Sequence, residues 1–405
     1  MITLETGVTY GACIRVIGIG GAGGNAVNTM IECGLRGVDF IAANTDAQAL
    51  AANRAPLKIQ LGKELTRGLG SGADPTVGKR ATEESLDELR EALSGSDMVF
   101  LTAGMGGGTG TGGAPVVARL AQELGALVVA IVTKPFQWEA RRRMQIAEAG
   151  IAELRTYVDA LIVVPNQRLL GIIDRNTSVR EAFQRIDEVL YNATRGIADI
   201  ISGCGYVNVD FADVRTIMKG MGDALMGMGY ARGERRAVEA AQSALNSPLL
   251  EGISIAGARG VLVNITGGSD LTMYEVADAM QLIEETAGSE TNLIHGIVMS
   301  PDPSEEISIT LVATGFRSTT SLELEPTAQQ AVAVAAVEVS RVAAGGGASY
   351  VLQPIPAASP VGAQELQKYD EPAYLRRNTL QSAVPAPTTE PSPLEQPAFL
   401  RRLID

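Results

Sequence analysis

The sequence predicts an α/β protein: a doubly wound, parallel-sheet nucleotide-binding domain, a long central helix, a second α+β domain and a disordered carboxyl-terminal tail. Three observations carry that expectation. Short apolar runs alternate with helical patterns of roughly 10 to 18 residues as far as Asn166, and such spacing needs crossover connections, hence a parallel sheet covered on both faces. Two glycine-rich loops each close a strand and open a helix. From 318 onward Pro, Ala, Ser and Gln accumulate, and the segment cannot bury enough apolar surface to offset the entropy of ordering it.

In chain order, "CIRVIGI" reads as a strand, "GNAVNTMIECG" as a helix, "VDFIAAN" as a strand and "ATEESLDELREALSG" as a helix. The strand "DMVFLTAG", the helix "GAPVVARLAQELG", the strand "ALVVAIVTK", the helix "EARRRMQIAEAGIAELR" and the strand "ALIVVPN" complete the first domain. A long helix follows over Val179 to Ile201, capped by Asn176, Thr177 or Ser178 and stopped by "GCG". Then "GVLVNITGG", "LIHGIVMS" and "ISITLVATG" read as strands of a separate domain, with the helix "YEVADAMQLIEETAG" between the first two. The boundaries expected are a flexible stretch at 1–11, the nucleotide domain at 12–178 and the central helix with its following loop at 179–219. The α+β domain occupies 220–316, a linker 317–369 and a tail 370–405. Within the linker, "TAQQAVAVAAVEVSRVAA" has the composition of a transient helix.

Composition narrows the function. The 405 residues carry 33 Lys and Arg against 46 Asp and Glu, a net charge of −13, which disfavours nonspecific attraction to nucleic acid or anionic membrane. Cys13, Cys33 and Cys204 are too few and scattered for a disulfide framework, and with a single histidine, His295, they make no zinc site. No apolar run reaches membrane-spanning length, and the first residues lack signal-peptide features, so a soluble cytoplasmic protein is expected.

The first glycine loop, "GIGGAGG", contains G-x-G-x-x-G as Gly18, Gly20 and Gly23, with Asp46 where a ribose-binding acid would stand in a dinucleotide-binding oxidoreductase. A tight turn needing glycine for steric reasons alone explains a lone match equally well. The second loop, "GMGGGTGTGG", also aims backbone N–H groups and a helix start at the carboxyl ends of the strands. Two cradles at one crevice suit a ligand with several phosphates. Neither ends in G-K-[ST], so amide dipoles, the Thr109 and Thr111 hydroxyls and a bound Mg²⁺ would meet the charge. Hydride transfer has no use for the second cradle.

Several motifs then agree in order: "GIGGAGGNAVN", "NTDAQAL", "GLGSGADPTVG", "GGGTGTGGAP", "TKPF", "NVDFADVRTIM", "SPLLE" and "GARGVLVNITGG". From about residue 12 to 316 the chain resembles the FtsZ family, the bacterial tubulin-like division GTPases. The resemblance implies a tubulin-like fold, GTP with Mg²⁺, and head-to-tail assembly into the filaments of the division ring on the inner face of the membrane at mid-cell. By the same resemblance the phosphates fall on Gly20, Gly21, Gly24, Gly107, Gly108, Thr109 and Gly110. Glu139 matches a ribose contact and Arg143 a sugar-phosphate contact, while Asn25, Asn166 and Asp187 match guanine readers with Phe183 stacked on the base. Ala140 stands where the family pattern has glycine, and Trp138 where a smaller aromatic is expected.

The loop "NVDFADVR" supplies Asn208, Asp210 and Asp213 as candidate catalytic groups, with the two acids on one face of a helix start. A helix cap explains them in isolation. Lying beyond the long helix, the loop cannot reach its own glycine loops, so in a filament it would complete the pocket of the next subunit. A tubulin-like filament protein with another role, such as a segregation protein or divergent paralogue, stays open as an alternative. Finally, "DEPAYLRR" and "EQPAFLRR" repeat one pattern in the tail, and Pro372 to Arg377 and Pro397 to Arg402 resemble the peptide with which the family meets membrane-tethering division proteins.

Overall fold

A computed structural model describes residues 11–171, 177–202, 206–207, 209–250, 255–300, 302–316, 337–342 and 349–354. The chain divides into two compact units at Thr319. In the first, β1 (Ile14–Ile19), α1 (Gly20–Glu32), β2 (Asp39–Asn44), α2 (Ala47–Ala52) and β3 (Leu57–Gln60) lead into α3 (Lys63–Thr66), α4 (Pro75–Glu84) and α5 (Leu86–Leu93). Next come β4 (Met98–Gly104), α6 (Thr109–Glu123), β5 (Leu127–Lys134), α7 (Arg141–Leu154), β6 (Ala160–Pro165) and α8 (Asn166–Leu169). The long helix α9 (Val179–Ile201) is followed by α10 (Phe211–Met218), β7 (Gly222–Arg232), α11 (Arg236–Leu245), β8 (Gly260–Gly267), α12 (Met273–Ala287), β9 (Asn292–Met299) and β10 (Glu306–Thr314).

All ten strands form one sheet in the order β3-β2-β1-β4-β5-β6-β7-β10-β8-β9. From β3 to β7 every neighbour is parallel, as the crossover spacing requires. β10 is antiparallel to both β7 and β8. The strands of the α+β region are therefore joined to the first sheet, through a short pairing that runs from Ala160↔Gly222 to Ile162↔Ala224. The central strands are buried along nearly their whole length, the apolar pattern of strands covered on both faces. One core layer, with Val16, Met30, Phe100, Leu190 and Ile197, lies between the sheet and α1 and α9. Another, with Ile17, Leu89, Leu101, Leu120 and Leu154, lies under α5, α6 and α7. A third, with Ala240, Val263, Ile283 and Ile309, joins α11 and α12 to β8 and β10.

α9 runs from Val179 to Ile201, the bounds expected, because its start is fixed by a capping box. Ser178 Oγ accepts the Glu181 N–H at 3.2 Å, and Glu181 Oε2 accepts the Ser178 N–H at 2.9 Å. The single helix expected over "ATEESLDELREALSG" is instead two. α4 starts earlier, at Pro75 behind an Asp74 cap, and the break falls at Ser85, whose Oγ accepts the Gly62 N–H at 3.1 Å. In the second unit, Val337–Val342 and Ser349–Pro354 pair antiparallel, so the end of the segment read as a transient helix is a strand. Its β-branched alternation, "VEVSRV", favours that outcome. The remainder of the expected linker and both tail repeats lie outside the described residues.

Candidate nucleotide site

The two glycine loops meet. β1 and β4 are adjacent, with Ile19 opposite Ala103, so the turns that follow them open side by side at the carboxyl edge of the sheet. Gly20 has φ +74°, a left-handed conformation that favours glycine, and a Cβ there would lie 3.1 Å from the Gly110 nitrogen. At Gly23 a Cβ would strike the Thr102 carbonyl, so glycine lets α1 lie against β4. α1 and α6 begin at these loops with no side-chain cap and no acid in the first turn. Their leading N–H groups and positive dipole ends are left facing one crevice. A Cβ on Gly21 or Gly107 would meet nothing within 4 Å, so both loops border open space. A cleft lined by Gly20, Gly21, Gly24, Asn25, Asn44 and Asn53 adjoins the first loop. The donor set fits a polyphosphate without a lysine.

The hydroxyls expected to touch phosphate serve first as braces. Thr109 Oγ1 lies 2.6 Å from Thr45 Oγ1 and 3.0 Å from Ser71 Oγ, both within hydrogen-bond reach, so one chain of hydroxyls ties β2, the loop before α4 and the start of α6. Thr111 Oγ1 accepts the Gly106 N–H at 2.8 Å and holds the second loop from within. Gly108 leaves no room for a side chain, since a Cβ there would strike Ser71 Oγ. Thr45 and Ser71 join the site with no pattern of their own to mark them, although both lie in motifs, "NTDAQAL" and "GLGSGADPTVG", that the sequence makes visible.

The sugar and base candidates gather at the same edge. Phe136 N–H donates to Glu139 Oε1 at 2.9 Å, and Arg143 Nη1 pairs with Glu139 Oε2 at 2.9 Å, leaving the Glu139 side chain 10% exposed. A carboxylate has lone pairs beyond these two bonds, so ribose hydroxyls can still donate to it. Ala140, next in sequence, has φ +88° and ψ 142°, which explains why glycine is the expected residue here. Phe136 stacks on Trp138 and meets Phe183 edge-on, with centroids 5.8 Å apart for the second pair. Gln137 N–H donates to Gln167 Oε1 at 3.2 Å and ties this turn to α8. There Asn166 is buried, and its Oδ1 has no partner among the described residues, an orphan acceptor suited to the amino group of a base. Asp187 lies one turn below Phe183 on α9. Burial, reinforced by the neighbouring Glu188 carboxylate, pushes its carboxyl up to about 7. Asn25 is exposed on α1 beside Gly24.

The catalytic candidates stand apart from all of these. Asp210 is the residue before α10 and Asp213 lies in its first turn; both are exposed, and Asp210 makes no side-chain cap bond. Asn208 lies outside the described residues. α10 sits at the amino edge of the sheet: Arg215 Nη2 donates to the Gly125 carbonyl at 3.3 Å and Gly220 N–H to Asp159 Oδ1 at 3.2 Å, just before β5 and β6. α9, 23 residues and so roughly 34 Å long, separates the acids from the glycine loops. Asp46 does not face the crevice as a ribose acid, since its carboxylate caps α2 by accepting from the N–H groups of Gln48 and Ala49. Among the described residues no three His, Cys, Asp or Glu side chains group as a metal site, and no helix is long and apolar enough to cross a membrane.

Comparison with known proteins agrees with this geometry. Residues 13–174 match the GTPase domain of the Tubulin/FtsZ family and residues 222–317 the FtsZ family C-terminal domain. An FtsZ dimer structure from M. jannaschii is 43% identical, with 75% of this chain and 88% of that chain covered and a TM-score of 0.72. A tryptophan-to-tyrosine mutant of M. jannaschii FtsZ is 42% identical over 76% and 92% of the two chains, with a TM-score of 0.73. CetZ2 from Haloferax volcanii, solved as a GTPgS-bound protofilament, is 22% identical over 77% and 96%, with a TM-score of 0.64, and shares the fold. With paired phosphate cradles, an α9 that carries the base candidates, and both family domains in order, the chain belongs to the FtsZ family of tubulin-like GTPases.

Proposed function

We propose that this protein forms GTP-dependent filaments that build the division ring, in the cytoplasm at mid-cell beneath the membrane, and that each GTP is hydrolysed between two head-to-tail subunits. The separation of parts carries the reading: the phosphate cradles lie at one edge of the sheet and the exposed acids at the other. An FtsZ relative whose structure is a dimer supports self-association.

In this reading the starts of α1 and α6 hold the phosphates, Glu139 receives the ribose hydroxyls and Arg143 the sugar-phosphate junction. Asn25, Asn166 and Asp187 read guanine, whose N1 and N2 hydrogens suit a carboxylate and an amide oxygen. Phe183 stacks on the base. Mg²⁺ would be carried on the phosphate oxygens, where it offsets their charge, since the described residues offer no acid cluster nearby. Asp210 and Asp213 of the neighbour, with Asn208, orient the attacking water. Positioning and charge are most of what phosphoryl transfer needs. Both tail repeats are assigned to membrane-tethering division proteins.

The test is the specific GTPase activity as a function of protein concentration. Turnover per subunit should rise above a threshold and be depressed when Asp213→Ala is mixed into wild type, while the variant alone binds GTP normally. A turnover independent of dilution, or an affinity loss of tenfold (~1.4 kcal/mol) in Asp213→Ala, refutes the shared site. Filaments without a division defect on depletion point instead to another filament role.

A further inference from the structure

The hydroxyls of Thr45, Thr109 and Ser71 have one hydrogen to spare. The three residues are buried, at 0%, 8% and 9% exposed. Among the described residues their side-chain oxygens make two hydrogen bonds, Thr45 to Thr109 at 2.6 Å and Thr109 to Ser71 at 3.0 Å. Each hydroxyl has a single hydrogen and two lone pairs, so the three hold three hydrogens and the two bonds consume two. The third meets no acceptor among the described residues, and a buried donor left unpaired is costly.

The surroundings show where that hydrogen can go. Thr45 is fully buried behind the end of β2, where a spare hydrogen would reach nothing, so Thr45 donates to Thr109. Thr109 opens α6 and borders both cradles, since a Cβ on Gly20 of the first loop would come 3.3 Å from the Thr109 Cβ. Ser71 reaches it through the gap left at Gly108, where a side chain would strike Ser71 Oγ. Gly108 has φ −87°, open to any residue, so glycine is needed there for space alone. The leading N–H groups of α6 face the same crevice, which makes Thr109 the member of the chain placed to offer a hydrogen to a ligand.

We infer that Thr45 and Ser71 are positioning residues for phosphate: both donate to Thr109 Oγ1, so that its own hydrogen turns outward to a phosphate oxygen. The inference rests on the reading of this crevice as the GTP site and deepens it. An ionised phosphate oxygen accepts and never donates, so it selects this one direction of the chain. Each bond that Thr109 accepts also strengthens the one it gives.

The test is GTP affinity by calorimetry, with guanosine measured by competition, on full-length chains kept below the concentration at which they assemble. Thr109→Val keeps the shape and removes the hydroxyl; it should weaken GTP roughly 30-fold and guanosine less than about twofold. Thr45→Val and Ser71→Ala should each weaken GTP about threefold, and Thr45→Ser should restore it. With Thr109→Val already present, neither should change GTP affinity further. Losses that persist without the Thr109 hydroxyl, a Thr45→Ser variant as weak as Thr45→Val, or affinities equal to wild type overturn the inference and leave the hydroxyls as braces. A Ser71→Ala loss as large as that of Thr109→Val overturns it as well, by placing the spare hydrogen on Ser71. Where Thr45→Val does not fold, Ser71→Ala with and without the Thr109 hydroxyl gives the same decision. Wild type that binds GTP no better than guanosine removes the nucleotide reading itself.

Discussion

Asp187 gives a prediction whose size follows from its surroundings. Burial on α9, with Glu188 adding like charge, lifts its carboxyl to about 7, whereas reading the N1 and N2 hydrogens of guanine requires the carboxylate. At pH 8 roughly nine in ten free molecules are ionised and at pH 6 roughly one in ten. GTP should therefore bind about tenfold more weakly at pH 6, a difference of ~1.4 kcal/mol. Asp187→Asn removes this titration together with charge-assisted bonds of ~1.5–3 kcal/mol, so its affinity should be lower at pH 8 and vary less with pH. The phosphates of GTP titrate equally in both proteins, so the readout is the difference between the two affinity profiles from pH 6 to 8, by calorimetry. Stability should move the other way. Between the ordinary aspartate value and about 7 the folded chain holds a proton that the unfolded chain has released, so the Asp187 contribution to stability falls as pH rises through that window. Asp187→Asn should accordingly melt higher than wild type at pH 8 while binding GTP less well. Parallel affinity profiles for the two proteins would refute the assignment of Asp187 as the ionised guanine reader.

Other substitutions test other parts. Ala140→Gly should stabilise the fold by ~1 kcal/mol in urea unfolding, because φ +88° strains an alanine and not a glycine; an unchanged or lower midpoint contradicts that. Arg236 is buried and holds Glu275 at 2.7 Å, Asp270 at 2.8 Å and the Ser304 carbonyl at 2.5 Å. Its replacement by Ala takes the shared cation from Asp270 and Glu275, whose carboxyls are held below their ordinary range by bonds to nearby backbone and to it, and should lower the urea midpoint; a midpoint equal to wild type would contradict it. Replacing Tyr374 with Leu375, or Phe399 with Leu400, by alanine should each reduce recruitment to tether-coated vesicles by more than twofold if the repeats act as a bivalent anchor; loss from the second pair alone would leave one functional motif.

Much of this architecture is legible because the signals are local. The parallel core strands are unbroken apolar runs, and α9 is fixed at its start by a serine and a glutamate three residues apart. β7 is not legible, since "GDALMGMGYAR" lacks a β-branched residue. Its glycines answer to tertiary packing: a Cβ on Gly227 or Gly229 would strike the carbonyl of Ala244 or Ala240 on α11. Asp46 misleads in the opposite sense, as an acid at the end of β2 looks like a ribose ligand until α2 claims it as a cap. The glycine loops stand out in the sequence, but the hydroxyl chain through Thr45, Thr109 and Ser71 joins residues 64 and 38 positions apart, which no window along the chain connects.

α9 places the base candidates Phe183 and Asp187 near its start and, beyond its end, the segment bearing Asp210 and Asp213. If the acids of one subunit complete the pocket of the next, as proposed, a row of n subunits would own n nucleotides but only n − 1 complete hydrolytic centres, because the last pocket would have no neighbour to supply its acids. A pair of subunits would then turn over at half the per-subunit rate of a long row. The nucleotide at one terminus alone would be exempt from hydrolysis until the next subunit arrived, so the row would keep an unspent end whose fate is decided by the rate of addition.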